Sequence, residues 1–264
     1  MRRRPALVLP LVTVGALLLA ACGGPSSGGD SSPAGASPGG LSGEITVLAA
    51  ASLTGSFQTL GKQFQEANPG TTVTFSFGAS SALVTQIAQG APADVFASAS
   101  QKNMDAVVAA GAATTATPFA ENAMQIAVPP KNPGNVTRLS DLARPGVKVA
   151  LCQAEVPCGA TAAKVFATAK LTVKPVTEEA DVKATLAKVS LGEVDAGVVY
   201  VTDVLAAGDS VTGIEIPADV NASTTYPIAP LTTSKNTAVA QAFVDYVLSA
   251  EGQKVLTAAG FQAP

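Results

Sequence analysis

Histidine and tryptophan are absent from this 264-residue chain, and cysteine occurs three times. Without histidine the chain lacks the commonest general base and the commonest zinc ligand. A serine–histidine–aspartate triad is therefore excluded. An exported serine hydrolase would need a lysine base instead, and neither Ser52 nor Ser80 begins an S-x-x-K pattern. Basic residues are few beyond the N-terminus. Discounting Arg2, Arg3 and Arg4, 13 Lys and Arg stand against 19 Asp and Glu, a formal charge of −6. No Lys/Arg cluster remains, which disfavours nucleic acid as a partner. After the first 21 residues no apolar run approaches the ~20 residues that a membrane span requires.

What the N-terminus does contain is an export signal. Met1-Arg2-Arg3-Arg4 is a positive start, and Pro5 to Leu19 is apolar but interrupted by Pro10, Thr13 and Gly15. Such a stretch reads as a cleaved signal peptide over residues 1–21, not as a permanent span. Leu19-Ala20-Ala21-Cys22 resembles the lipobox of bacterial lipoproteins, so Cys22 is expected to carry lipid and anchor the chain to the extracytoplasmic face of the membrane. An ordinary signal peptide with a chance cysteine is the alternative. Gly23 to Gly43 is almost wholly Gly, Ser, Pro and Ala, so residues 22–43 read as a flexible tether. The other two cysteines, Cys152 and Cys158, stand six apart. In an oxidising compartment they suit a disulfide closing a small loop. A metal or redox pair is the weaker reading, since the spacing is not C-x-x-C and no histidine can assist.

From Glu44 onward, strand and helix patterns alternate. Ile45 to Ala49 is a short apolar run, and Leu53, Phe57, Leu60 and Phe64 then share one helical face. Ser52 stands before that helix as an N-cap, and Asn68-Pro69-Gly70 ends it. Val73 to Phe77 alternates as a strand, a helix carrying Leu83 and Ile87 follows, and Asp94 to Ala97 is the next strand. Later strands are expected at 123–128, 147–151, 196–201, 214–216 and 226–231. Helices are expected at 101–110, 139–142, 159–170, 179–191, 237–249 and 251–259. This alternation predicts an α/β fold with mostly parallel strands covered by helices.

Three strand-to-helix junctions share one design: Ser52, Ser80 and Pro157-Cys158-Gly159. A helix N-terminus presents unpaired N–H groups and a partial positive charge, so several together can hold an anion without Lys or Arg. Ligands of open α/β sheets sit outside the carboxyl ends of the strands, where these junctions lie. The ordinary reading of each serine alone is an N-cap, and spacing does not decide between the two.

A resemblance bears on that choice. It is carried by Ala49-Ala50-Ala51-Ser52-Leu53, by Phe77 with Ser80, Ser81 and Leu83, and by the run from Gly90 to Ala99. It continues through Val156-Pro157-Cys158-Gly159, Glu179-Ala180-Asp181-Val182, Gly197-Val198-Val199-Tyr200 and Tyr226-Pro227-Ile228-Ala229. In this order the segments resemble the ModA family, the molybdate-binding proteins of bacterial ABC importers, here in lipoprotein form. The resemblance covers essentially all of Glu44 to Pro264.

The resemblance implies a two-lobed fold of the type II periplasmic-binding-protein kind, with two sheets joined by two hinge strands. Residues 44–122 plus 227–264 would form one lobe and 123–226 the other, with hinges near Ala123 and Tyr226. Molybdate, and tungstate with it, would be bound between them. Ser52 and Ser80 would offer hydroxyl and amide, Cys158 and Val182 an amide each, and Tyr200 its hydroxyl. No cofactor and no bare-cation site is implied, molybdenum entering only as the oxyanion. The partner would be a membrane ABC permease, served by a monomer. Sulfate or another tetrahedral oxyanion is the rival ligand. On the residues alone, Val182 reads first as a core side chain on its helix face, and Tyr200 equally as a buried tyrosine satisfied elsewhere.

Overall fold

The computed structural model describes residues 40–264; the expected signal peptide, Cys22 and nearly all of the tether lie outside the described residues. Strand and helix alternate first through β1 (Ser42–Ala50), α1 (Thr54–Ala67), β2 (Gly70–Gly78), α2 (Ser80–Ala88), β3 (Val95–Ala97) and α3 (Gln101–Ala109). A long strand, β4 (Thr117–Val128), follows. Then come β5 (Val149–Cys152), α4 (Pro157–Thr168), β6 (Thr177–Glu179), α5 (Val182–Ser190), β7 (Ala196–Tyr200), α6 (Val201–Ala207) and β8 (Thr212–Glu215). The order ends with β9 (Ser223–Pro230), α7 (Thr237–Leu248) and α8 (Ala250–Ala258). Among the described residues no helix is long and apolar enough to cross a membrane.

The strands run β2-β1-β3-β9-β4-β7-β5-β6, with β8 also paired to β4. Within each half the strands on the βαβ crossovers are parallel: β1 with β2 and β3, β5 with β6 and β7. Every pairing that involves β4 or β9 is antiparallel. The reason is directional, since the chain leaves the first half along β4 and returns along β9. β4 pairs with β9 up to Ala123 and with β7 and β8 from Met124 on, so one strand serves both halves.

Each half has its own core. Phe57, Phe64, Phe119, Phe243 and Tyr226 pack on one side of the first half, and Leu83, Phe96 and Met104 on the other. The second half centres on Ile126, Val149, Val165, Val189, Val198 and Tyr200. Leu53, Phe57, Leu60 and Phe64 are all buried on one face of the α1 segment, as their spacing requires.

Four local features differ from the sequence expectation. The chain makes a single 3-10 turn over Ala51–Leu53 before α1, so Ser52 lies inside that turn and caps nothing. β4 begins at Thr117, six residues earlier than its apolar run, because its alternating first half faces the core on one side only. Glu179 closes the short strand β6, and α5 starts beyond it with Asp181 as cap. α6 has no counterpart in the expectation; at seven residues it is too short to show a helical period.

Candidate functional site

A small cavity of about 20 Å³ is lined by Ala50, Ala51, Ser52, Gly78, Ala79, Ser80, Ala99, Pro157, Cys158, Asp181, Val182 and Tyr200. Apart from Ala99, every one of these residues sits where a strand feeds a helix. The strands are β1, β2, β5, β6 and β7, so five helix starts converge on one point. Its size corresponds to one or two water-sized spheres, the scale of a few heavy atoms. All five residues singled out from the sequence, Ser52, Ser80, Cys158, Val182 and Tyr200, lie on this wall. No lysine or arginine does.

The donors are set out by what else each group is doing. The 3-10 turn, α2 and α4 all begin without a side-chain cap, so their first amides have no partner within the helix. Ser80 is the first residue of α2, and Ala79 holds the cap position. The Ser80 oxygen accepts the Ala99 amide at 2.9 Å, which leaves its proton for another acceptor. α5 is capped, and the manner matters. Asp181 Oδ1 accepts the amides of Lys183 at 2.8 Å and Ala184 at 3.0 Å but not that of Val182. Asp181 is the one carboxylate on the wall, and its charge is turned toward its own helix.

The α4 junction is braced covalently. Cys152, ending β5, forms a disulfide with Cys158 in the first turn of α4, with a Cα–Cα distance of 5.8 Å. A Cβ on Gly159 would meet the Gln153 carbonyl oxygen and lie 2.7 Å from that of Cys152, so only glycine lets the helix start fold back on this loop. Pro157 occupies the first helical turn, where its missing N–H costs nothing. Thr161 Oγ donates to the Pro157 carbonyl at 2.8 Å.

Tyr200 is buried, and its hydroxyl has no hydrogen-bond partner in the protein. Burial, reinforced by neighbouring Tyr226 and Asp203, pushes its pKa well above the usual tyrosine value, so it remains a donor. The Tyr200 amide donates to Asp203 Oδ2 at 3.1 Å. Asp203 is wholly buried, with Lys183 Nζ 2.9 Å from its other oxygen. Burial raises the Asp203 pKa against the pull of that ammonium group. The ion pair joins the first turns of α5 and α6, behind Val182 and Tyr200.

Sequence reasoning gave no part in the site to Asp181, Lys183, Asp203, Asn122 or Thr202, and placed Tyr226 only at a hinge. Asp181 lines the wall and the others stand behind it. Asn122 carried a readable signal only in being a buried amide, since Glu121 and Gln125 of the same strand are also polar. The others are ordinary residues until the fold brings them together.

Helix starts from two half-sheets that share a strand close on one small cavity, the arrangement of a solute-binding protein. The family described as bacterial extracellular solute-binding protein matches residues 45–262. The molybdate-binding protein ModA of Mycobacterium tuberculosis H37Rv is 42% identical over 221 residues, covering 83% of this chain and 85% of that protein. ModA of Escherichia coli K12 is 34% identical over 231 residues, covering 83% and 89%. The periplasmic molybdate-binding protein of Azotobacter vinelandii superposes with a TM-score of 0.74 at 21% identity, covering 83% and 99%. The sulfate-binding protein SubI of M. tuberculosis shares the fold equally well, with a TM-score of 0.74 at 22% identity over 83% of this chain and 86% of that one. The chain belongs to the ModA family of bacterial extracellular solute-binding proteins.

Proposed function

We propose that this chain captures molybdate, and tungstate equally, in the cavity between two lobes and delivers it to a membrane ABC permease. The observation that carries the reading is the convergence of uncapped helix starts with an unpartnered, buried Tyr200 hydroxyl, with no cation on the wall. Ser52 and Ser80 supply hydroxyls and amides, Cys158 and Val182 amides, and Tyr200 its hydroxyl. A dianion loses heavily on desolvation and needs many such bonds. Each bond to a charged partner contributes roughly 1.5–3 kcal/mol, so five to seven suffice for micromolar to nanomolar affinity.

The lobes are residues 44–122 with 227–264, and 123–226, hinged where β4 and β9 cross between them. The protein acts as a monomer, tethered through lipid on Cys22. Tethering keeps the receptor close to its permease and raises its effective concentration without new contacts. Titration calorimetry of the purified chain with molybdate, tungstate and sulfate tests the reading. Tight binding of the first two and weak response to the smaller sulfate is expected. Heats no larger for molybdate than for buffer would sink it.

A further inference from the structure

Tyr226 does not line the cavity, yet its hydroxyl lies 2.8 Å from Ser52 Oγ, across 174 residues of sequence. Its ring is fully buried in β9, edge-on to Tyr200 at 6.2 Å between centroids. Behind it stands Asn122 of β4, also buried. Asn122 Nδ2 donates to Thr202 Oγ at 2.8 Å and to Tyr226 Oη at 3.5 Å. A phenol has one proton. The contact with Ser52 can run either way. Because Asn122 Nδ2 can only donate, Ser52 Oγ is the acceptor within reach of the Tyr226 proton, and the direction that satisfies both is Tyr226 to Ser52. Ser52, acting as acceptor there, turns its own proton into the cavity. The reverse chain would aim a serine lone pair at the bound anion.

Ser80 reaches the same polarity by another route, because the Ala99 amide fills its acceptor side. Two serines from separate junctions are thus each held as donors by a protein N–H or O–H behind them. We propose that Tyr226 is a positioning residue that fixes Ser52 as a donor and thereby makes the site reject oxyanions that carry a proton. Apart from the Asp181 carboxylate, whose Oδ1 is taken by its own helix, the wall offers donors and no acceptor for the proton of hydrogen phosphate, whereas molybdate and sulfate bring none. The proposal rests on the oxyanion reading given above.

The test is a set of titrations of the full chain with molybdate, sulfate and inorganic phosphate at about pH 8, where phosphate is a singly protonated dianion. Charge is then equal across the three, and sulfate controls for size. Tyr226→Phe is expected to narrow the preference for molybdate over phosphate about tenfold, the worth of one hydrogen bond. In a Ser52→Ala background the further change Tyr226→Phe should leave that ratio where it is. A ratio unmoved by Tyr226→Phe, or moved equally without the Ser52 hydroxyl, overturns the proposal. If Tyr226→Phe fails to fold, Asn122→Asp serves instead. A carboxylate there takes the Tyr226 proton and reverses the chain, so the same narrowing is expected and an unchanged ratio is equally fatal. An unaltered chain that binds no oxyanion defeats the functional reading, and this inference with it. Molybdate binding with ratios constant across the variants defeats this inference alone.

Discussion

Tyr200 and Asp203 are three residues apart, both buried, and burial raises the pKa of each, with different consequences. The Tyr200 hydroxyl is a donor with no partner in the protein, so its removal relieves a desolvation cost in the ligand-free fold. Tyr200→Phe is therefore expected to leave the ligand-free unfolding free energy unchanged or higher by about 1 kcal/mol, while oxyanion affinity drops about 10- to 100-fold. Denaturant unfolding and calorimetry on the same variant separate the two effects. For Asp203 the sign follows from linkage. Its folded pKa lies above the ordinary 3.8, so in that window the folded state binds more protons than the unfolded chain. Stability from this group is full below the unfolded value and is lost as pH rises through the folded one. Asp203→Asn keeps an oxygen for the Tyr200 amide but cannot titrate. Urea unfolding measured upward from pH ~4 should show that this slope has gone, and an unchanged slope would assign it to other carboxylates.

At the scale of elements, the decisive feature is how each helix begins. α5 carries a capping aspartate, whereas the 3-10 turn before α1, α2 and α4 have none, and those bare starts face the cavity. The α4 start is held by the Cys152–Cys158 bridge, which closes a loop of only a few residues. Loop-closure entropy for so short a loop gives about 2 kcal/mol, or roughly 4–8 °C in melting temperature for a chain of this size. Replacing both cysteines by alanine should lower the calorimetric melting point by that amount. It should also weaken oxyanion binding, because the Cys158 amide is no longer fixed. A loss of stability with affinity intact would make the bridge a fold element only. The helix faces were legible in the sequence because apolar spacing reports burial directly. The 3-10 turn at Ser52 and the seven-residue α6 were not, since neither is long enough to display a period.

For the whole molecule, the crossing of β4 and β9 matters most. Ala123 pairs with Ser223 where β4 changes partners, so the polypeptide passes between the halves twice at one place. Such a paired crossing is suited to hinge motion, and a ligand bonded to both halves favours the closed arrangement. Solution scattering should show a smaller radius of gyration on adding molybdate. Superimposable profiles with and without ligand would mean that binding occurs without closure.

The alternation of strand and helix and the five residues that meet at the cavity were readable from the sequence by itself. They rest on local composition, apolar period and ordered motifs. Which hydroxyls are spent and which are free was decided only by the tertiary structure. Ser52 meets Tyr226 across 174 residues, Asn122 meets Thr202 across 80, and Ser80 accepts from Ala99 across 19. A sequence pattern states that a residue is buried, but not which atom it faces. The polarity of a hydrogen bond depends on that partner, and only folding brings the partner into reach.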